Sequence, residues 1–275
     1  MTPFPAATAT PVSAAATGAP RSVAECRIWS LPPLPRPSSW FHLLDSTELL
    51  RTSSFAHELD LARFVTGRVL AKTALARLLG TGPQAIRLRT RCPGCGGPHG
   101  KPQAVGLAEG WQLSISHSGR LVAVAVALDT PLGMDVERYE SWHGPGLPPE
   151  YELVLTAAER AAVEQLPPEH RARACLTYWV RKEAVLKATG EGLYTPMTDF
   201  TLTGPGQRPA LLGWHGPRPA RPVPAITDVE LDEGYHAAVA ALDVRSVRPT
   251  VHSGTELLPG TGAELLVNSP RFPGS

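Results

Sequence analysis

Hydrophobic residues between positions 45 and 79 recur at helical spacing, as they do on one buried face of a helix. Gly80 follows this stretch at once, and glycine commonly ends a helix. We therefore predict one long helix over residues 45–79. Further helices are predicted from Thr156 and from about Glu169.

Short runs rich in Val, Ala and Leu predict strands at residues 111–116, 121–128, 132–137 and 235–242. Ser118 and Gly119 supply a turn between the first two strands. Residues 91–103 hold so much Gly and Pro that they predict a loop. Helices and strands that alternate in this way are typical of an α+β or α/β protein.

Two strand regions resemble each other. Residues 119–129 read GRLVAVAVALD and residues 234–243 read GYHAAVAALD, which are similar when a one-residue gap is allowed. The similarity indicates an internal repeat with two related halves, residues 23–130 and 131–246. Residues 1–22 are predicted to be a disordered arm and residues 247–275, rich in Pro, Gly, Ser and Thr, a disordered tail. A ligand is expected between the halves.

Composition excludes some classes of function. The net charge is +1 and 19% of the residues are charged, so no overall charge favours nucleic acid or a membrane surface. No apolar run reaches the roughly 18 residues of a membrane-spanning helix. Four unevenly spaced cysteines do not form the framework of a secreted scaffold, which predicts a soluble cytoplasmic protein.

Two acids and a third from a distant helix are candidates for metal binding. Asp135 and Glu137 lie two apart on a predicted strand, so both carboxylates project to one face. Trp179, Glu183 and Lys187 follow at intervals of four and line one stripe of a predicted helix. Three hard oxygen ligands suit Mg²⁺, and a nearby lysine could neutralise a phosphate.

Other chemistries stay open at this point. Cys92 and Cys95 with His99 could bind zinc, which would suit a non-enzymatic module that touches nucleic acid. The three acids could equally serve a Mg²⁺-dependent phosphohydrolase acting on coenzyme A or a nucleotide. The sequence contains neither a P-loop motif nor GxGxxG, so no motif favours a kinase or a Rossmann cofactor site.

Four segments in a fixed order resemble the 4′-phosphopantetheinyl transferase superfamily, and most closely its surfactin-synthetase-activating type. They are HGKP at 99–102, SISHSG at 114–119, GMDVE at 133–137 and WVRKEAVLKATGEGL at 179–193. The resemblance implies two similar α/β subdomains related by a pseudo-two-fold axis, with coenzyme A and Mg²⁺ at their interface. It also implies transfer of phosphopantetheine from coenzyme A to a serine of an apo acyl or peptidyl carrier protein. Two complete halves in one chain make a monomer sufficient for this.

The resemblance assigns roles to individual residues. By matching positions, Asp135, Glu137 and Glu183 are similar to the metal-binding acids, with Glu183 also the expected base. Lys187 resembles the lysine that assists departure of 3′,5′-ADP. The expected coenzyme A contacts are Arg63, Arg68, Lys101, Ser116, His117, Lys182 and Lys187.

Overall fold

The structure is a computed structural model that describes residues 22–91, 96–97, 100–140, 147, 149–217 and 221–258. The predicted arm, apart from Ser22, and the possible zinc ligands Cys92, Cys95 and His99 lie outside the described residues. No helix in the described ranges is both long enough and apolar enough to cross a membrane.

The chain forms a mixed α+β fold. The helices are α1 Ser46–Thr52, α2 Glu58–Leu79, α3 Ala157–Glu164 and α4 Pro168–Thr189. The strands are β1 Ala24–Leu31, β2 Arg87–Thr90, β3 Pro102–Val105, β4 Trp111–Ser118, β5 Leu121–Leu128, β6 Leu132–Arg138, β7 Phe200–Leu202, β8 Leu211–Trp214, β9 Ala225–Val229, β10 Tyr235–Ala241 and β11 Val247–Ser253.

Two sheets carry the fold, with strand orders β11-β1-β5-β4 and β6-β10-β9. Only β1 and β11 pair in parallel within these sheets as described. The two strands of the sequence repeat, β5 and β10, are each central in their sheet, which is why both contain a run of buried Ala and Val. The remaining pairs, β2-β3 and β7-β8, are separate two-stranded sheets.

Side chains alternate between the two faces of each strand, and the partners of each face show the order of the layers. In β5, Ala123 and Ala125 pack with Met134 of β6 in a core between the two sheets. The intervening Val124 and Val126 pack with residues of α2, and in β10 the alternate alanines pack with residues of α4. The order of layers is therefore α2, first sheet, second sheet, α4, with one core at each boundary.

The predicted helix over 45–79 is wrong as a single element, because the structure divides it into α1 and α2. The hydroxyls of Thr52, Ser53 and Ser54 donate to the carbonyls of residues 49, 50 and 51, which ends α1. Such side-chain bonds to nearby backbone compete with helix continuation.

Two predicted irregular segments are partly regular. Residues 247–253 of the predicted disordered tail form β11, whose backbone pairs with all but one residue of β1. Residues 102 and 103 of the predicted loop belong to β3, which pairs with β2. In both cases, long-range backbone pairing overrides a local composition that disfavours strands.

Each long helix holds a short helix through a buried ion pair. Lys72 and Lys182 occupy the same position in α2 and α4, which are both 22 residues long. The Nζ atoms lie 2.5 Å from Glu48 Oε2 and 2.6 Å from Glu159 Oε2, respectively. Both glutamates also close a capping box at the start of α1 and α3. The same tertiary contact thus occurs twice.

The backbone of β6 approaches that of α4 closely at Gly133. A Cβ atom there would lie 2.0 Å from the carbonyl oxygen of Ala184 and 2.3 Å from the amide nitrogen of Ala188. Neither backbone atom can move without shifting the helix. Only glycine therefore permits this spacing between strand and helix.

We expect Gly133→Ala to lower the free energy of unfolding by about 1–3 kcal/mol or more, because the added methyl group overlaps helix backbone. Denaturant unfolding monitored by circular dichroism measures the change. Gly213→Ala is the control, since its added Cβ would make ordinary contact at 3.5 Å with His215. Equal stability of the two variants would contradict the close approach at Gly133.

Candidate active site

A cleft of about 220 Å³ lies where β4, β6 and α4 meet. Its lining consists of Ile115, Ser116, His117, Asp135, Glu137, Trp179, Glu183 and Lys187. The stripe on α4 and the acidic face of β6 therefore open into one space. The packing at Gly133 brings them together, because it sets the distance between β6 and α4.

Asp135 is the most buried acid of the cleft, with 3% of its surface exposed. Its Oδ1 accepts hydrogen bonds from Lys187 Nζ at 2.6 Å and from Ser116 Oγ at 2.8 Å. Its Oδ2 is buried and has no hydrogen-bond partner among the described residues. A buried carboxylate oxygen without a partner is costly, so the site has a place for one more positive group.

Glu137 and Glu183 share the cleft with Asp135. Burial raises the pKa of both glutamates, and the negative charge of Asp135 raises them further. The Ser118 hydroxyl opposes the rise for Glu137, and Lys187 opposes it for both. The ionised forms of these carboxylates would gain from another cation in the cleft.

The donor atoms suit a hard divalent cation, although the side chains do not form a finished cage. In the described part of the chain, no group of three or more His, Cys, Asp or Glu side chains is arranged to hold a metal ion. Asp135 instead directs one oxygen to Lys187. The unpartnered Oδ2 and the two neighbouring glutamates nevertheless supply the oxygen ligands that Mg²⁺ prefers.

Three of the predicted anion contacts take different positions relative to the cleft. His117 lines it, and Arg63 donates from Nε and Nη2 to the carbonyl oxygen of Gly119, in the turn that follows β4. Lys101 Nζ donates to the carbonyl oxygen of Leu132 at the start of β6, and burial lowers the pKa of Lys101 to about 8. Of these three residues, only His117 lines the cleft.

Arg68 lies elsewhere. Its side chain packs over the ring of Phe64, and its Nε lies 3.8 Å from Glu48 Oε1 of α1. Only 6% of Arg68 is exposed. The structure does not bring Arg68 to the cleft lining, so its expected contact with coenzyme A is not supported.

Lys182 requires a correction. Its Nζ donates to Glu159 and to the carbonyl oxygens of Val154, Met197 and Phe200, and the residue is 0% exposed. An ammonium has three protons, so these acceptors occupy it fully. Lys182 therefore joins α4 to α3 and does not face the cleft. The sequence contained a signal for this, since Lys182 lies off the stripe of Trp179, Glu183 and Lys187.

Sequence reasoning placed Ser118 in a turn, beside Ser116 and His117 at a junction whose hydroxyls suit an anion, but it missed the contact of Ser118 with Glu137. In the structure it is the last residue of β4, and its hydroxyl donates to Glu137 Oε2 at 2.5 Å. The available signal was the period-two recurrence of serine at positions 114, 116 and 118.

Comparisons with known proteins agree on one family. A model of the 4′-phosphopantetheinyl transferase superfamily matches residues 131–240. The chain is 31% identical over 183 residues to the 4′-phosphopantetheinyl transferase HetI of Nostoc, covering 62% of this chain and 70% of that protein. It is 30% identical over 179 residues to a putative 4′-phosphopantetheinyl transferase of Synechocystis, covering 58% and 67%. A Bacillus subtilis 4′-phosphopantetheinyl transferase is 28% identical over 148 residues, covering 54% of this chain and 61% of the relative.

We expect Lys182→Met to lower the free energy of unfolding by about 3–5 kcal/mol, because it leaves the Glu159 carboxylate buried without its partner. Denaturant unfolding measures the loss. Arg173→Met on the exposed face of α4 is the control and should change stability by no more than about 0.5 kcal/mol. A Lys182→Met protein of normal stability but weaker coenzyme A binding would restore the sequence-based assignment.

Proposed function

The chain belongs to the 4′-phosphopantetheinyl transferase superfamily, and we propose that it transfers phosphopantetheine from coenzyme A to a serine of an apo acyl or peptidyl carrier protein. The second product is 3′,5′-ADP. One observation carries the proposal: Asp135, Glu137, Glu183 and Lys187 converge from a strand and a distant helix on one cleft. The named relatives are transferases, so the phosphohydrolase alternative has no support.

The proposal includes two subdomains related by a pseudo-two-fold axis, as in the surfactin-synthetase-activating type. Three repeated features support it: long helices of equal length, a buried lysine at the same position in each, and a central Ala/Val strand in each sheet. Each central strand is also followed by an aspartate with positive φ, Asp129 and Asp243. The cleft then lies where β4 of residues 23–130 meets β6 and α4 of residues 131–246.

Asp135, Glu137 and Glu183 are the proposed ligands of Mg²⁺, with the unpartnered Oδ2 of Asp135 as the first of them. When bound, the ion supplies positive charge that offsets the negative charge of the pyrophosphate of coenzyme A. Burial raises the pKa of Glu137 and Glu183, and a cation next to them would favour their ionised forms.

Protein residues perform the remaining steps. Glu183 accepts the proton of the carrier serine as its oxygen forms a bond to the pantetheine-side phosphorus. The bond between that phosphorus and the oxygen of 3′,5′-ADP breaks, and Lys187 offsets the charge that develops on the departing phosphate. Lys187 suits this role because its ammonium already lies in the cleft, 2.6 Å from Asp135 Oδ1.

The phosphates of coenzyme A are held by basic groups around the cleft. Lys187 and His117 line the cleft itself, and Arg63 reaches the turn directly beside it. Burial lowers the pKa of Lys101 to about 8, and a phosphate next to it would favour the charged ammonium. Local charge can thus bind a polyanion although the net charge of the chain is only +1.

We also propose that the protein acts as a monomer in the cytoplasm. Both halves of the cleft come from one chain, so a single copy supplies every proposed ligand. Cys26 and Cys175 are buried free thiols, which suits a reducing compartment. The carrier protein and coenzyme A are the proposed partners.

We expect Asp135→Asn and Glu183→Gln each to reduce transfer by ~10²-fold or more, because each removes a charge that acts on the pyrophosphate or the attacking hydroxyl. The measurement is the mass gain of an apo-carrier protein incubated with coenzyme A and Mg²⁺, supported by labelling with a fluorescent coenzyme A.

Glu164→Gln is the matched control, since Glu164 is exposed on α3 and outside the cleft. It should transfer at the wild-type rate. Transfer at that rate by Asp135→Asn or Glu183→Gln would overturn the assignment of the acids. A wild-type protein that modifies none of a panel of apo-carrier proteins would overturn the proposed function.

A further inference from the structure

Three serines of β4 join the first sheet to the second. Ser114, Ser116 and Ser118, here called the serine row, alternate along β4 and so face the same side. Each hydroxyl oxygen accepts a backbone N–H of β6. The donors are Met134 to Ser114 at 2.9 Å, Val136 to Ser116 at 3.3 Å and Arg138 to Ser118 at 3.1 Å. Side-chain oxygens thus satisfy an edge of β6 that would otherwise need a neighbouring strand.

A serine hydroxyl has one proton, and its destination differs along the serine row. Ser114 donates to the carbonyl oxygen of Met134 at 3.3 Å, which completes a backbone contact. Ser116 donates to Asp135 Oδ1 at 2.8 Å and Ser118 donates to Glu137 Oε2 at 2.5 Å. Hydrogen bonds to carboxylates are stronger than those between neutral groups. Two serines of the row therefore hold the two acids of β6.

We propose that Ser118 is a positioning residue that fixes the Glu137 carboxylate in the cleft, as Ser116 fixes that of Asp135, and thereby sets the affinity of the site for a divalent cation. This rests on the proposed function, which makes these acids metal ligands. Groups that hydrogen-bond to metal ligands restrict the rotation of those ligands. A glutamate side chain that is not held in this way loses its rotational freedom when it binds the ion. That loss of entropy weakens binding of the ion.

The position of Ser118 is itself fixed from two sides. The carbonyl oxygen of the next residue, Gly119, accepts two hydrogen bonds from Arg63, and the backbone N–H of Arg120 donates to the hydroxyl of Tyr235 at 2.9 Å. A Cβ on Gly119 would lie 2.9 Å from that same hydroxyl. The turn is therefore held to α2 and to β10, so the hydroxyl of Ser118 is presented by a backbone with little freedom.

The serine row also changes the expected role of Ser116. Sequence resemblance assigned it a contact with a phosphate of coenzyme A. Its single proton is directed to Asp135, its oxygen lies near Val136 N and Lys187 Nζ, and the residue is 6% exposed. Because the Ser116 hydroxyl donates its proton to Asp135, we expect it to hold this acid of β6 rather than to donate to a phosphate.

Ser114 provides a matched control within the serine row. It makes the same kind of bond to β6 as Ser118, but its proton goes to a carbonyl oxygen rather than to a carboxylate. Ser114→Ala therefore removes a link between the sheets and leaves both acids with their serines. A merely structural role for the row predicts equal consequences of Ser114→Ala and Ser118→Ala for metal binding.

The test measures Mn²⁺ binding by electron paramagnetic resonance in the presence of coenzyme A, with thermal unfolding and transfer kinetics on the same proteins. Ser118→Ala should weaken Mn²⁺ binding roughly tenfold, in the range known for groups that support metal ligands. Its KM for Mg²⁺ should rise while its KM for coenzyme A stays near the wild-type value. Ser118→Thr keeps the hydroxyl and should restore Mn²⁺ binding, and Ser114→Ala should bind Mn²⁺ as the wild type does.

Each other result overturns the inference. Normal Mn²⁺ binding by Ser118→Ala, equal weakening by Ser114→Ala, or no rescue by Ser118→Thr would each leave Ser118 without a specific role toward Glu137. If the wild type transfers phosphopantetheine in these experiments, only the role of Ser118 fails. If the wild type neither binds Mn²⁺ nor modifies an apo-carrier protein, the proposed function fails with it.

Discussion

The close contact between β6 and α4 at Gly133 is the constraint on which the cleft depends. Because no side chain separates the strand from the helix there, the acids of β6 and the charged stripe of α4 share one space. Asp135 follows Gly133 by two residues, and the contact on α4 involves Ala184 and Ala188, which directly follow Glu183 and Lys187 in the chain. A wider spacing would separate the ion pair of Lys187 and Asp135 and divide the cleft into two unrelated surfaces.

Side-chain hydroxyl groups also hold the two sheets together, at the edges where backbone pairing between strands stops. The serine row links β4 to β6, and Thr227 Oγ1 of β9 donates to the carbonyl oxygen of Val247 at the start of β11. The two sheets are thus connected at both ends by side chains. In the serine row the connection also reaches Asp135 and Glu137, so the hydroxyls that join the sheets also hold the proposed metal-binding acids.

Two lysines on α4 lie in different environments, one enclosed in the protein and one in the cleft. Lys182 and Lys187 are five residues apart, which places them about 140° apart around the helix axis. Lys182 is enclosed by α3 and the segment before β7, whereas Lys187 is partly exposed in the cleft. The first stabilises the packing of α3, as Lys72 does for α1, and the second remains available to a ligand.

The sequence by itself determined the strands β4, β5, β6 and β10, because their alternation and turn residues act locally. It also placed Asp135 with Glu137, and Glu183 with Lys187, because the periods of strand and helix fix which side chains share a face. Only the tertiary structure decided that Lys182 is enclosed, that residues 247–253 pair with β1, and that the proton of Ser118 goes to Glu137. These outcomes depend on partners distant in the chain, and local periodicity carries no information about which distant surface an element meets.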